Sequence, residues 1–307
     1  MAEKSEMNEG YPAYTYDRRR IAVKSLDEWT DLRMAELLYH VRSPYLPRCL
    51  GRTSHERGDG TDHRAVRTRL DLDGHQECER LPLIECHPVP TTPSLVFEWV
   101  EGKTMREIDR QALSSTVAEQ WFDDILDGLS WLSQRANKPI AHLDISPSNI
   151  VITNAGDALL IDFSDSRVLD GYARTPSTSR VFKEGYAAPE IFLGDLLPES
   201  DLYSLAMSII SVWRNEPAAS MSQHSIRTTL KKFAPSFADR LRCSLSEDPV
   251  ARRAALRHHM LMPIWVEDQP SRVRRDENEK STEEGDVCPY SFSTCPFLEV
   301  AYILCSE

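Results

Sequence analysis

The sequence predicts an α+β fold in which a small sheet with one helix precedes a larger helical region. Three observations indicate this arrangement. Strand-like segments dominate the first hundred residues, one helical pattern is embedded among them, and apolar residues beyond Glu101 recur at helical spacing. The chain has 307 residues, of which 41% are hydrophobic and 27% charged, so it is long and apolar enough to bury a sizeable core.

The first region consists of four short strands and one helix. Strands are predicted at residues 14–16, 20–24, 46–52 and 95–99. The helix is predicted to begin at a capping box formed by Ser25 and Glu28, in which each side chain can satisfy a free backbone N–H of the other residue, and to end before Pro44. Residues 54–92 are rich in charged residues, Gly, His and Pro, which predicts a long insertion between two strands.

The second region begins with an amphipathic helix over residues 115–134, where apolar side chains form a wide stripe. Two short apolar strands are predicted at residues 150–153 and 158–163, with a turn between them. Further helices are predicted at residues 201–214, 225–233, 237–244 and 251–260. The chain is therefore expected to change from strands with one helix to mainly helices.

Both ends of the chain differ from these regions. Residues 1–10 are polar, lack the apolar core of a signal peptide and are expected to be disordered. Residues 267–307 contain ten acidic and four basic residues and are expected to form an acidic tail. The apolar segment at residues 287–304 makes this tail a candidate binding site for a regulatory partner.

Net charge and cysteine usage narrow the classes of function. With 36 Lys and Arg against 48 Asp and Glu, the net charge is −12, which argues against nucleic acid or an anionic membrane as a partner. No apolar run approaches the roughly 18 to 20 residues of a membrane span. The seven cysteines include no C-x-x-C pair, so neither a disulfide framework nor a zinc site is indicated. A soluble intracellular protein is therefore expected.

One group of polar residues surrounds the two predicted strands of the second region. His142-x-Asp144 and Asn149 precede the first strand, and Asp162-Phe163-Ser164 ends the second. Phosphoryl transfer needs a carboxylate beside the attacking hydroxyl and oxygen ligands that fix Mg²⁺ on the nucleotide phosphates. Asp144 suits the first role, and Asn149 with Asp162 suits the second.

This spacing resembles the catalytic loop and the metal-binding segment of eukaryotic-type protein kinases. The resemblance covers about residues 11–266 and implies a two-lobed fold. An N-lobe of antiparallel sheet with one helix would span residues 11–100, including the insertion 54–92, and a larger helical C-lobe would span residues 101–266. The resemblance also implies ATP and Mg²⁺ as cofactors and a protein as the substrate.

Further residues are assigned by this resemblance on the N-terminal side. Ile21-Ala22-Val23-Lys24 is similar to the kinase strand whose Lys holds the α- and β-phosphates, and residues 95–102 are similar to the strand and hinge that hold adenine. Phe97 would be the gatekeeper. The implied adenine-binding residues are Ala22, the backbone of Glu98 and Val100, and Val151.

On the C-terminal side, the resemblance assigns structural roles. Ala188-Pro189-Glu190 is similar to the end of the kinase activation segment. Asp201 would brace the catalytic loop, and Arg252 would pair with Glu190.

The chain departs from the family pattern near the nucleotide. Only Gly10 precedes Lys24, where the family has three glycines over the phosphates, so nucleotide affinity is expected to be lower. Met34 stands where a helical Glu would orient the Lys. From helical geometry, Asp31 is the first substitute partner for Lys24 and Glu36 the second, although a solvated position for either acid is an equal alternative.

The chain also departs from the pattern in the catalytic loop. Leu143 replaces an Arg that receives an activation-loop phosphate in many kinases, so activity is expected not to depend on such a phosphate, with Arg180 as another possible anchor. Ser146 and Lys183 replace a Lys and a Thr that touch in the family fold. We hypothesise that Lys183 reaches toward Asp144 and the γ-phosphate; the alternative is a solvated surface lysine.

The sequence therefore predicts a Ser/Thr protein kinase. Lys24, Asp144, Asn149 and Asp162 would supply the chemistry, with Lys183 as a further catalytic group. The alternative is a pseudokinase that acts as a scaffold or binding protein with little or no ATP turnover. A small-molecule phosphotransferase is a third candidate, against which the residues of a peptide-substrate platform argue: Ala188-Pro189-Glu190, Asp201 and Arg252.

Overall fold

A computed structural model of the chain describes residues 14–53, 81–87, 89–170 and 182–256. The predicted disordered N-terminus 1–10, residues 54–80 of the insertion, Arg180 and the acidic tail 267–307 lie outside these residues. Within them the α+β prediction is confirmed. A four-stranded antiparallel sheet and one α-helix come first, and a mainly helical part follows.

The sheet contains β1 (Tyr14–Tyr16), β2 (Arg19–Ser25), β3 (Cys49–Arg52) and β4 (Ser94–Glu98), in the order β1-β2-β4-β3. The two residues between β1 and β2, Asp17 and Arg18, both have positive φ (48° and 60°), as the tight turns of two-residue hairpins require. β2 pairs with β4 so that Lys24 lies opposite Leu95. Lys24 therefore sits on a central strand, one position before the end of the segment that pairs with β4.

The predicted continuous helix after Ser25 is wrong. A 3₁₀ turn covers Leu26–Glu28, and α1 covers only Arg33–His40. Ser25 caps the 3₁₀ turn by accepting the N–H of Asp27, and no capping box forms there. Between the two pieces, Trp29 is extended and buried, and its ring stacks on Phe97 with a centroid separation of 5.9 Å. Burial of this large aromatic side chain outweighs the local preference for a continuous helix.

Residues 81–87 lie over the face of the sheet that carries Ile21 and Val23. Ile84 and Cys86 pack there in a small apolar cluster separate from the main core. The segment also bonds to both sheet edges: the N–H and C=O of His87 pair with Thr15, and the Ile84 N–H donates to the C=O of Arg52. These contacts pair backbone groups that edge strands otherwise leave open.

The second part is built on two long helices. α2 covers Ser115–Ala136 and α3 covers Pro198–Arg214. The remaining elements are β5 (Gly102–Thr104), β6 (Ile140–Ala141), β7 (Ile150–Thr153), β8 (Ala158–Leu160), β9 (Arg167–Val168), α4 (Gln223–Leu230), α5 (Pro235–Ser244) and α6 (Pro249–Arg252). Two small sheets, β5-β7-β8 and β6-β9, contact these helices: β8 packs on α2, and β6 packs on α3. The loop after β6 and the loop after β8 carry the predicted site residues.

Some predicted boundaries need correction. The predicted strand 158–163 ends at Leu160, since Asp162 has a φ of 63° and cannot continue a strand. The predicted helix 251–260 is instead the single turn α6, followed by a 3₁₀ turn at Arg253–Ala255; residues 257–260 lie outside the described part.

One main apolar core joins the two parts. Trp29, Met34 and Leu38 belong to the same buried cluster as Phe122 of α2 and Leu205 of α3. Such shared burial ties the helix of the first part to the helices of the second. Among the residues that the structure describes, no helix is long and apolar enough to cross a membrane.

Candidate active site

A buried carboxylate on α3 anchors the loop that follows β6. Asp201 of α3 accepts the backbone N–H of His142 at 2.6 Å and that of Leu143 at 2.9 Å. Leu143 has a φ of 67°, which is unfavourable for a branched side chain, so the loop needs this anchor to keep its shape. Burial raises the pKa of Asp201 to about 7, while the two N–H bonds act in the opposite direction.

His142 is a second buried support of this loop. Its Nδ1 accepts the N–H of Asp144 at 3.3 Å, and its Nε2 lies 3.2 Å from the C=O of Ile161. These two contacts fit a neutral imidazole that carries its proton on Nε2. Complete burial lowers the pKa of His142 to about 4, so the ring stays neutral around pH 7.

Asp144 stands at the centre of a polar group. Its Oδ2 accepts from Asn149 Nδ2 at 2.6 Å and from Lys183 Nζ at 2.9 Å. Asn149 Nδ2 also donates to the C=O of Asp144 at 2.9 Å. The sequence hypothesis placed Lys183 near Asp144, and the structure brings these two side chains into direct contact. The Lys183 side chain is 39% exposed, and its role toward the γ-phosphate stays a prediction.

Lys183 also contacts two hydroxyl groups. Its Nζ lies 2.9 Å from Ser146 Oγ and 3.3 Å from Ser148 Oγ, and the two hydroxyls are 3.0 Å apart. The sequence had linked Ser146 with Lys183, but Ser148 was missed. Its position two residues after Ser146, within one short loop, was the signal that could have identified it.

Asp162 lies opposite this group, at the end of the β7-β8 hairpin. The Ile161 N–H donates to the Asn149 C=O at 2.8 Å, which holds the two loops together. Lys24 Nζ donates to Asp162 Oδ2 at 2.8 Å, and Ser164 Oγ donates to Oδ1 at 2.8 Å. Burial by itself would raise the pKa of the Asp162 carboxyl, but the Lys24 ammonium and the two hydrogen bonds outweigh it and hold the pKa below its usual range.

The predicted first partner of Lys24 is wrong. The Asp31 carboxylate binds the guanidinium of Arg33 and accepts the N–H of Val168. Lys24 instead lies 3.6 Å from Glu28, an acid that the sequence had assigned to a capping box. The helix break at Trp29 causes both changes, because it moves the 3₁₀ turn and α1 out of one continuous helical register. The second predicted partner, Glu36, stays a prediction.

The predicted adenine-binding residues lie on β2, β4 and β7. Ala22 is partly buried and lies opposite Phe97 in the sheet register. Val151 is buried on β7. Glu98 ends β4, where its N–H and side chain bond to the backbone of Arg48. The assignment of these residues, and of Val100 just beyond β4, to adenine stays a prediction.

The segment after Lys183 is fixed by a buried ion pair. Arg252 donates from Nη1 and Nη2 to the two carboxylate oxygens of Glu190, at 2.6 and 2.9 Å. The Arg252 side chain has no exposed surface and that of Glu190 is 8% exposed. Ser200 Oγ also donates to Glu190. This bidentate contact is the one that the sequence resemblance implied.

Comparison with known proteins decides the family. Residues 80–261, more than half of the chain, match the protein kinase domain. The chain belongs to the protein kinase domain family. This kinase domain is 33% identical over 144 residues to the probable serine/threonine-protein kinase PknB of Bifidobacterium longum, a stretch that covers 45% of this chain and 20% of that protein.

Two further relatives are similar over shorter stretches. The striated muscle preferentially expressed protein kinase of Danio rerio is 33% identical over 134 residues, which cover 42% of this chain and 4% of the relative. Serine/threonine-protein kinase C of Synechocystis is 35% identical over 124 residues, 38% of this chain and 23% of the relative. The kinase domain therefore spans less than a quarter of these proteins.

The family assignment confirms the two-lobed α+β kinase fold. The match begins at residue 80, so Lys24 and Ala22 lie outside it. Their position rests on the structure: β2 pairs with β4, and Lys24 of the first part contacts Asp162 of the second.

Proposed function

We propose that this protein kinase domain is catalytically active and transfers the γ-phosphoryl group of ATP to Ser or Thr hydroxyls of protein substrates. The observation that carries the proposal is the 2.8 Å contact between Lys24 Nζ and Asp162 Oδ2. It joins a cation of the first part to the carboxylate of Asp162, and the loop that carries Asp162 is hydrogen-bonded to the loop that carries Asp144 and Asn149. Phosphoryl transfer depends on such positioning and charge stabilisation.

Lys24 is proposed to bind the α- and β-phosphates. Its side chain is 15% exposed, so the ammonium is shielded enough from water to act strongly on an anion placed between the two parts. The 2.8 Å bond to Asp162 holds its position before the nucleotide binds. Because only Gly10 precedes Lys24, no glycine-rich loop is assigned to the phosphates, and Lys24 is the main phosphate contact proposed for the first part.

Asn149 and Asp162 are proposed to bind Mg²⁺. Both side chains offer hard oxygen donors, and the Asn149 amide nitrogen is turned toward Asp144, which leaves its Oδ1 for a cation. Among the described residues no cluster of three or more His, Cys, Asp and Glu could hold a metal, and Mg²⁺ on a nucleotide needs only one or two protein carboxylates. When bound, Mg²⁺ would neutralise charge on the phosphates.

Asp144 is proposed to orient the substrate hydroxyl and to accept its proton. The hydroxyl oxygen forms the new bond to the γ-phosphorus, the bond to the β-phosphate oxygen breaks, ADP carries away that electron pair, and the proton passes to Asp144. Asn149 and Lys183 bond to the same Oδ2, so they fix the position of the carboxylate for this step. Lys183 is proposed to stabilise charge on the transferred group as well.

Specificity for Ser and Thr is supported by two features. The segment Tyr186-x-Ala188-Pro189-Glu190 resembles the ending of Ser/Thr kinase activation segments. The relatives from Bifidobacterium longum and Synechocystis are named as serine/threonine kinases.

A radiolabelled-ATP assay with Mg²⁺ tests this function. Wild type is compared with Lys24→Met and Asp144→Asn, and with two surface controls of the same chemical change, Lys232→Met and Asp239→Asn. We expect label transfer by wild type and both controls, and its loss in Lys24→Met and Asp144→Asn. Equal traces from all five proteins would contradict the proposal.

A pseudokinase scaffold is the second candidate. It is favoured by the single glycine before Lys24 and by Met34 at the position of the helical Glu. A thermal shift with ATP and Mg²⁺ separates the candidates further, because a protein that does not bind nucleotide gains no stability from it.

A further inference from the structure

The residues around the start of α1 grip the chain that follows Asp162. Thr30 donates both its backbone N–H and its Oγ1 hydroxyl to the C=O of Ser164, at 2.9 and 2.6 Å. Asp31 Oδ2 accepts the N–H of Val168 at 3.0 Å, and Arg33 Nη2 donates to the C=O of Val168 at 2.8 Å. We call Thr30, Asp31 and Arg33 the α1 clamp.

The clamp is internally rigid. The Asp31 carboxylate accepts Nε and Nη2 of Arg33 at 2.9 and 2.8 Å, and it also accepts the Arg33 backbone N–H at 3.1 Å. The Asp31 side chain is only 10% exposed, so these charge-assisted bonds are partly shielded from water. Arg33 Nη1 further bonds to Asp170, which Lys138 also binds.

The α1 clamp is connected by hydrogen bonds to Asp162 through Ser164. Ser164, whose C=O is held by Thr30, donates its own hydroxyl to Asp162 Oδ1 at 2.8 Å. Val168, whose N–H and C=O are both held, pairs in β9 with Ile140 just before the catalytic loop. The clamp thus fixes the chain on one side of Asp162, and β8 fixes it on the other.

Asp162 needs such support. Its φ of 63° lies in the left-handed region, where a side chain other than glycine is strained and persists only if its surroundings hold it. We propose that the α1 clamp is the positioning device that holds Asp162 in its metal-binding orientation. This inference rests on the proposed function, because it takes Asp162 to be a ligand of Mg²⁺.

The clamp acts on backbone atoms of Ser164 and Val168. Loss of one clamp bond should therefore release the segment without changing any group that contacts substrate. We expect weaker binding of Mg²⁺ to be the first effect, so that more Mg²⁺ is required, while the KM for the protein substrate should stay unchanged.

The test measures phosphoryl transfer as a function of Mg²⁺ concentration at saturating ATP in full-length variants. Thr30→Val and Asp31→Ala each remove clamp bonds, whereas Thr30→Ser keeps the hydroxyl. Glu216→Gln is the matched control, because Glu216 forms a 2.8 Å pair with Arg214 at the same two-residue spacing, far along the chain in the helical part. Hydrogen exchange of peptides covering residues 162–170 is measured on the same proteins without nucleotide.

We expect Thr30→Val and Asp31→Ala to need about tenfold more Mg²⁺ for half-maximal rate and to exchange faster at residues 162–170, as the loss of a short or a charge-assisted hydrogen bond implies. Thr30→Ser and Glu216→Gln should match wild type. An unchanged Mg²⁺ requirement in both Thr30→Val and Asp31→Ala would overturn the clamp.

Failure of the proposed function looks different. If wild type transfers no phosphate, the kinase proposal fails, and hydrogen exchange alone then tests whether the α1 clamp holds residues 162–170. Faster exchange at residues 162–170 in Thr30→Val and Asp31→Ala would support it, and unchanged exchange would overturn it.

Discussion

The two sides of the active site are held in different ways. On the catalytic-loop side, supports are buried side chains far away in sequence: Asp201 on α3 holds the loop, and Arg252 holds Glu190. On the nucleotide side, Lys24 is held by Asp162 and by Glu28, whose side chain is 55% exposed. The first side is built into the core of the helical part, and the second depends on more solvated contacts.

The two sides therefore differ in how much change their supporting residues tolerate. A buried charge without its partner is very unfavourable, so the supports of the catalytic loop need specific residue types. A partly solvated ion pair contributes little, so the partner of Lys24 can change from one acid to another at small cost. Met34 and the missing glycines before Lys24 belong to that second side, and the departures in the catalytic loop, Leu143 and Ser146, leave its buried supports unchanged.

The largest expected effect on stability comes from the buried ion pair. Arg252→Met leaves the Glu190 carboxylate buried and without its bidentate partner, so the free energy of unfolding should fall by about 3 to 5 kcal/mol. Urea denaturation measures this change. Arg242→Met, which removes the exposed pair with Asp239, is the control and should cost well under 1 kcal/mol. Equal losses in the two variants would show that burial does not set the contribution of an ion pair here.

A second effect is the pH dependence contributed by His142. Its pKa is about 4 in the folded chain against about 6.5 unfolded, so as pH falls through this window only the unfolded state takes up the proton. The free energy of unfolding of wild type minus that of His142→Asn should therefore fall by about 3 kcal/mol between pH 7 and pH 4. Taking the difference cancels the opposing contributions of the buried carboxyls Asp124 and Asp201, whose pKa values burial raises. A flat difference across this range would show that His142 is not held neutral.

Lys183 should have an intermediate effect on rate. Because its ammonium contacts Asp144 and two loop hydroxyls, Lys183→Ala should lower kcat about 10- to 100-fold with a smaller change in KM. The double variant Ser146→Lys with Lys183→Thr restores the family's arrangement and should recover part of the loss. If the double variant is no more active than Lys183→Thr alone, Lys183 does not supply the charge that the loop lacks.

The smallest effect is expected at Glu28. Because its side chain is about half exposed and 3.6 Å from Lys24, Glu28→Gln should change kcat/KM less than about threefold and the free energy of unfolding by well under 1 kcal/mol. Steady-state kinetics and urea denaturation measure both. A loss of kcat/KM as large as that of Lys24→Met would mean that Glu28 is an essential partner. Substitutions would then be tolerated equally poorly on both sides of the site.

Much of the catalytic-loop side could be predicted from the sequence. Asp201 and the Arg252–Glu190 pair have the contacts that the resemblance implied, because each role requires one residue type at a fixed distance along the chain. The contact between Lys183 and Asp144 could also be predicted, since the change at Ser146 left a complementary change at Lys183.

The region around α1 could not be predicted in the same way. The capping pattern at Ser25 and Glu28 favoured one continuous helix, but burial of Trp29 against Phe97 breaks it. Asp31 was therefore assigned to Lys24, whereas its carboxylate binds Arg33 and the backbone of Val168. Bonds to backbone atoms leave no mark on the sequence of the partner segment, so no pattern in residues 164–168 could have revealed the clamp.

We expect this kinase domain, with its divergent nucleotide side, to transfer phosphate to Ser or Thr. The decisive measurement is phosphoamino acid analysis of protein labelled from radioactive ATP and Mg²⁺, with Asp144→Asn as the reference. We predict phosphoserine or phosphothreonine with wild type and none with Asp144→Asn. Label that is confined to phosphotyrosine, or that is the same in both proteins, would contradict the claim.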